Sequence, residues 1–234
     1  IDTDGTKLYD DGEKKTWKEL FKKFAVEKDV EPGRIGIIGA TPLEFGGIYE
    51  EDFLKKYFAE KSFSKVVCYG MGDGLDAVRE AAAAEKNIVV SPAGIAAAKY
   101  LQQKFGTPYE LFCPPEIIPE WKEKKEQIAG LLNVEELSEK KILIVHQQVL
   151  ANTLREEFIS ANINVASWFM MNKEQKKEQD ILFKEEDDWI TYIKENEYDI
   201  IIADPLLKKA VPFYKGEWYD LPHFAISGKK RQSV

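Results

Sequence analysis

The side chains able to do chemistry in this chain are few, and most stand where an apolar run stops. Histidine occurs only at 146 and 223, and cysteine only at 68 and 113. His146 follows Ile142-Leu143-Ile144-Val145 and precedes Gln147-Gln148. An imidazole there can titrate near neutral pH or hydrogen-bond a ligand; the competing expectation is a satisfied structural histidine. A metal pair would need His223 to converge on it from far along the chain. Asp204-Pro205 ends the run Ile200-Ile201-Ile202-Ala203, and its carboxylate is either a ligand contact or a turn cap. Thr41, kept out of helical geometry by Pro42, and Ser91, just before Pro92, carry hydroxyls at two further run ends.

Two glycine-rich stretches offer close backbone approach. Gly39-Ala40-Thr41-Pro42-Leu43-Glu44-Phe45-Gly46-Gly47 can admit a ligand or another subunit, or be a long structural loop. Gly70-Met71-Gly72-Asp73-Gly74 could present N–H groups to phosphate. Its spacing is Gly-x-Gly-x-Gly, however, and Asp73 and Asp76 put negative charge where a pyrophosphate would sit. A tight turn whose aspartates cap the following helix is expected instead. With no Cys-x-x-Cys or His-x-x-x-His spacing, two buried free thiols in a reduced compartment are expected, and no metal or iron–sulfur site made by this chain alone. No nucleophile has an identifiable base beside it, so no Ser–His–Asp grouping emerges.

The elements that must position these residues alternate between strand and helix. Runs at 35–38, 66–69, 88–90, 142–145 and 200–203 are apolar at successive positions, the pattern of parallel strands covered on both faces. Helices are expected at 17–24 (capped by Thr16), 50–60, 75–85, 95–105, 149–159 and 187–196, with Gly106 ending the fourth. Pro32-Gly33 should break the chain before a first strand at 34–38; further strands are expected at 65–69, 87–90, 110–113, 141–145, 164–169 and 199–203. A charged helix from 119 to 133 or 137, with Trp121, Ile128, Leu131 and Leu132 as its stripe, connects two halves, and a last segment lies at 224–227. The expected fold is α/β: two Rossmann-like parallel-sheet domains joined by a long helix. The divisions are a lead-in and helix at 1–29, a domain at 30–118, the connecting helix at 119–138 and a domain at 139–234.

Composition narrows the partners. The 234 residues are 44% hydrophobic with a formal net charge of −8, which supplies real cores but no basic surface for nucleic acid or an anionic membrane. No stretch approaches the ~18 apolar residues of a membrane span. The chain opens at Ile1 and ends in Lys229-Lys230-Arg231 before its last residues, so it is expected to be a piece of a longer, cytoplasmic polypeptide.

Several stretches together resemble the nitrogenase component 1 type oxidoreductases, a group that includes nitrogenase molybdenum–iron subunits, their cofactor-assembly scaffolds and the catalytic subunits of dark-operative protochlorophyllide and chlorophyllide reductases. They are Ile35-Gly36-Ile37-Ile38-Gly39-Ala40-Thr41-Pro42-Leu43-Glu44-Phe45-Gly46, Ile88-Val89-Val90-Ser91-Pro92-Ala93-Gly94, the helix ending in Phe105-Gly106-Thr107-Pro108-Tyr109, and residues 142–158. The resemblance spans roughly residues 30–228 and implies two of that family's three Rossmann-like domains. It further implies an upstream domain of the same polypeptide, a homo- or hetero-oligomer, and an ATP-dependent iron protein as electron donor. The cysteines of the family's bridging iron–sulfur cluster mostly lie upstream, so the cluster would belong to the parent protein and no cofactor to this chain. Where nitrogenase subunits carry a cofactor-ligating cysteine, Val90-Ser91 stand here, and neither replaces a thiolate as a soft ligand to iron.

The expected function is therefore the substrate- or metallocofactor-side cleft of a nitrogenase-like reductase whose cluster lies elsewhere. Thr41, Gly72, Ser91, His146 and Asp204 are its rim, chosen because they follow strand carboxyl ends, where such sheets bind ligands. The alternative is a two-lobed protein that binds a small molecule or metal complex without redox chemistry; a scaffold that only docks partners is a third reading.

Overall fold

All strand pairings among the described residues are parallel, and they form two sheets. The structure is a computed structural model that describes residues 9–45, 50–118, 121–131, 139–158 and 162–228. The chain divides into two compact units, Ile1–Cys113 and Pro114–Val234.

In the first unit the sheet runs β2 (Lys65–Cys68), β1 (Glu31–Ile38), β3 (Ala84–Val89), β4 (Tyr109–Leu111). The chain crosses from one side of β1 to the other between β2 and β3, so the topological switch lies at the carboxyl ends of β1 and β3. Helix α1 (Tyr9–Phe24) buries Trp17 and Phe21, one turn apart, and packs on α5 (Ile95–Phe105). Helix α3 (Glu50–Ala59) lies on β2, and α2 (Pro42–Phe45) and α4 (Leu75–Arg79) are single turns after β1 and β2. Gly106 ends α5 with φ +77°, as a C-terminal glycine should.

Several boundaries depart from expectation for identifiable reasons. The first helix starts at Tyr9, and Thr16 is not its cap: within the helix, its hydroxyl donates to the Gly12 carbonyl at 2.8 Å. Pro32-Gly33 does not break the chain; β1 runs through it with a register shift between Glu31 and Ile35, taken up at Gly33 (φ +78°). The alanine-rich helix stops at Arg79, and a short 3₁₀ turn, Ala81–Ala83, leads straight into β3. There Ala84 pairs with Glu31, so sheet pairing and burial override alanine's helix preference.

The second unit is ordered β7 (Ile181–Leu182), β6 (Asn162–Ser167), β5 (Lys141–Val145), β8 (Ile200–Ala203), β9 (Glu217–Asp220). Counted within the unit, this is the 3-2-1-4-5 order of a doubly wound sheet, with its switch between β5 and β8. Helices α6 (Trp121–Leu131), α7 (Gln148–Glu157), α8 (Glu186–Glu195), α9 (Pro205–Ala210) and α10 (Phe224–Ser227) complete it. The charged helix expected from 119 is seen as α6; residues 119–120 and 132–138, and the side chains of Ile128 and Leu131, lie outside the described residues. Trp121 is buried, edge-on to Phe158 at 6.5 Å. Strands β7 and β9 were not expected: Ile181-Leu182 is only two residues long, and Glu217–Asp220 has neither an apolar run nor a buried residue. The core of this unit joins Leu143, Val145, Phe183, Trp189, Ile193 and Ile201.

Candidate functional site

In the second unit the two histidines meet. His146 follows β5, and His223 stands three residues past the end of β9; their ring centroids are 4.6 Å apart. Phe169, two residues beyond β6, stacks on the His223 ring at 4.2 Å and 17°. Asp204, the residue after β8, is wholly buried and uses both carboxylate oxygens on backbone. One accepts the Leu206 N–H at 2.8 Å and so caps α9; the other accepts the His223 N–H, also at 2.8 Å. His223 in turn accepts the Ala225 N–H on Nδ1 at 3.2 Å, capping α10. The carboxyl ends of β5, β6, β8 and β9 thus converge on one imidazole pair at the switch point.

His146 sets the electrostatics. It is 4% exposed, and burial, then the neighbouring His223, hold it well below the ordinary histidine range, against an opposing pull from the Pro222 carbonyl. The ring is therefore neutral. Its Nε2 lies 3.4 Å from the Pro222 oxygen, a contact that a neutral ring makes as donor with the proton on Nε2. Nδ1 is left as a buried lone pair with no hydrogen-bond partner among the described residues.

Side chains on α7 steady the segment that carries Phe169. Gln148 binds Asn172 twice, accepting its N–H at 2.7 Å and donating to its carbonyl at 3.1 Å. Arg155 makes a two-pronged pair with Asp180 at 2.6 and 3.2 Å, and Asp180 also accepts the N–H groups of Val165 and Lys177. Gln147 caps α7 by accepting the Val149 N–H at 2.8 Å.

In the first unit the expected rim residues take different parts. Ser91 is buried and donates to the Gly39 carbonyl at 2.6 Å, tying together the two strand ends at the switch. Gly39 has φ +89°, and an added Cβ would come 2.6 Å from that hydroxyl. Thr41 stands near Glu13 of α1. Burial, then Glu44 and Asp10, push the Glu13 carboxyl up to about 7, while polar contacts from Thr41 and Trp17 pull it the other way.

Gly72 sits in a turn that is closed from below. Its φ is +80°, and an added Cβ would lie 2.5 Å from the Glu51 side chain. The turn's aspartates do not cap the next helix, which corrects the expectation. Asp73 reaches back to the Cys68 N–H at 2.8 Å and pairs with Lys55 at 2.9 Å, while Asp76 pairs with Arg79 inside the helix. Gly74 is the helix cap and uses no side chain.

His223 is the site residue that position in sequence did not single out. It follows a strand with no apolar run, so nothing local marked it; that it is the only other histidine was the available signal.

The donors present do not suit an iron–sulfur cluster. Among the described residues no three His, Cys, Asp or Glu side chains are grouped to hold a metal. Cys68 and Cys113 are both buried, at opposite edges of the first sheet, and burial pushes the Cys68 thiol up to about 12. A cluster needs converging thiolates.

The family model described as "Nitrogenase component 1 type Oxidoreductase" matches residues 6–166, well over half of the chain. Asp204 and His223 lie beyond the matched range. The solved structure "Nitrogenase Cp1 at pH 6.5" has a TM-score of 0.60 with 12% identity, over 92% of this chain and 58% of that one. At that identity the likeness is one of fold, and the chain spans little more than half the length of its neighbour. No curated protein matches it in sequence.

Proposed function

The chain belongs to the nitrogenase component 1 type oxidoreductase family, and on that premise we propose that it forms the substrate- or metallocofactor-side part of a reductase whose iron–sulfur cluster is held elsewhere. The observation that carries this reading is the buried His146 Nδ1 lone pair, at the switch point of the second sheet and walled by His223 and Phe169. A neutral imidazole with one free acceptor can receive a hydrogen bond from a bound molecule or ligate a metal-bearing one. Asp204 positions His223; Thr41 and Ser91 mark the corresponding switch of the first sheet, and Gly72 the neighbouring strand end. The electrons would reach the parent protein from an ATP-dependent iron protein, as the family implies, with an upstream domain of the same polypeptide and an oligomeric partner completing the assembly.

The test is to purify the longest natural polypeptide containing this chain without oxygen and to measure iron, acid-labile sulfide and the visible spectrum. Stoichiometric iron and sulfide with a dithionite-bleachable chromophore is the expected result. A colourless, metal-free protein that still binds a small molecule would replace this reading with that of a two-lobed binding protein.

A further inference from the structure

The imidazole pair of the second unit is closed from solvent, and one wall of it is held less firmly than the rest. His146 is 4% exposed and His223 1%, so no ligand reaches either ring unless part of the surround moves. Much of that surround belongs to strand ends: the Pro222 carbonyl on His146, and the buried Asp204 carboxylate on the His223 backbone. Phe169 is the exception. It lies half-buried in residues 168–180, the connection from β6 to β7.

Parallel strands are usually joined through a helix. This connection holds none, and helix-free connections of such length in compact domains are typically lids or binding loops. It lies along one face of α7, on which Gln148, Asn152 and Arg155 follow at helical spacing. Gln148 binds Asn172 through both amide atoms, at 2.7 and 3.1 Å, and Asn152 donates to the Gln175 carbonyl at 3.5 Å. Arg155 grips Asp180 at 2.6 and 3.2 Å.

These grips are unequal. Asp180 is buried, and besides Arg155 it accepts the N–H groups of Val165 and Lys177; charge-assisted bonds of this kind are about twice as strong as neutral ones. The bonds nearer Phe169 are neutral: those from Gln148 and Asn152, and its own N–H to the Ser167 hydroxyl at 3.0 Å. Residues 173–179 are exposed, so water can take over the bonds that the backbone gives up there. The connection is thus pinned at 180 and laid down at 169–175. Opening there takes Phe169 off His223 while the strands stay in place.

We propose that residues 169–179 are a lid over the His146–His223 site, hinged at Asp180 and latched to α7 by Gln148. This rests on the reading of His146 as the group that meets a ligand, and it adds a gate to that site. A ligand enters with the latch open and is shut from water when Gln148 regains Asn172.

Carbethoxylation of the full chain by diethyl pyrocarbonate tests this, because the reagent attacks an unprotonated imidazole nitrogen such as His146 Nδ1. Rates at His146 and His223 are read by peptide mass spectrometry at neutral pH, for the wild type and Gln148→Ala, across urea concentrations below the unfolding transition. The wild type should react far more slowly than free histidine, at a rate that low urea leaves unchanged, since local opening exposes little surface. Gln148→Ala should react about tenfold faster, the effect of losing two neutral hydrogen bonds. An unchanged rate in folded Gln148→Ala, a wild type as reactive as free histidine, or a wild-type rate that climbs with urea in step with global unfolding overturns the lid. If the variant fails to fold, the urea dependence of the wild type decides. The readout uses neither cluster nor ligand, so the lid and the reductase reading fail separately.

Discussion

Asp204 accepts the backbone N–H of His223 at 2.8 Å, so a carboxylate at the end of β8 fixes the segment that delivers the second histidine to the first. Its other oxygen caps α9, which makes one buried side chain responsible for two chain directions at the switch point. Asp204→Ala leaves the buried N–H of His223 and the part-buried N–H of Leu206 without their acceptor and should destabilise the second unit by about 2–3 kcal/mol. Asp204→Asn keeps one carbonyl acceptor and should lose roughly half as much. Urea unfolding followed by tryptophan fluorescence measures both; equal losses, or none, would contradict this role.

The strand ends at this site were legible because buried parallel strands announce themselves as apolar runs: β5 and β8 are visible in 142–145 and 200–203, and His146 and Asp204 follow directly. His223 was not, because β9 is an edge strand with no fully buried position, and such strands carry no run to read. Ser91 also stands just past a strand end, yet its hydroxyl donates to the Gly39 carbonyl, a contact that depends on how the two loops meet in space. Pro32-Gly33 and the alanine-rich 80–84 stretch misled for a related reason. Local preference there is outweighed by pairing across the sheet.

The buried neutral His146 makes stability depend on pH. Burial and His223 depress its folded value below the unfolded one of about 6.5. The unfolded chain therefore binds more protons in that window, and the contribution, complete above about 6.5, is lost as pH falls towards the folded value. Denaturation midpoints of the wild type should drop more between pH 7.5 and 5.5 than those of His146→Gln. Parallel curves would show that the imidazole is charged or exposed.

Glu13 should act in the opposite sense. Its carboxyl is raised from 4.5 to about 7 in the folded protein, so the folded chain binds the extra proton, and stability declines as pH rises through that interval. Glu13→Gln removes the penalty: its Tm relative to wild type should rise between pH 4 and pH 8. A difference independent of pH would mean that Glu13 ionises normally.

The Arg155–Asp180 pair is buried on both sides and hydrogen-bonded throughout. Arg155→Met strands the carboxylate and should cost about 3–5 kcal/mol. Adding Asp180→Asn removes the unpaired charge while keeping an acceptor for Val165, so the double variant should recover part of the loss. Additive losses in a double-mutant cycle would contradict the coupling.

The central claim is that this chain serves a reductase without holding its cluster. Its most direct measurement is iron and acid-labile sulfide in the oxygen-free parent protein carrying Cys68→Ala and Cys113→Ala, with the fold checked by circular dichroism. Iron and sulfide unchanged from the wild type is the predicted result. Loss of either on substitution in a folded protein would place the cluster on this chain, and a wild type free of both would leave no cluster for it to serve.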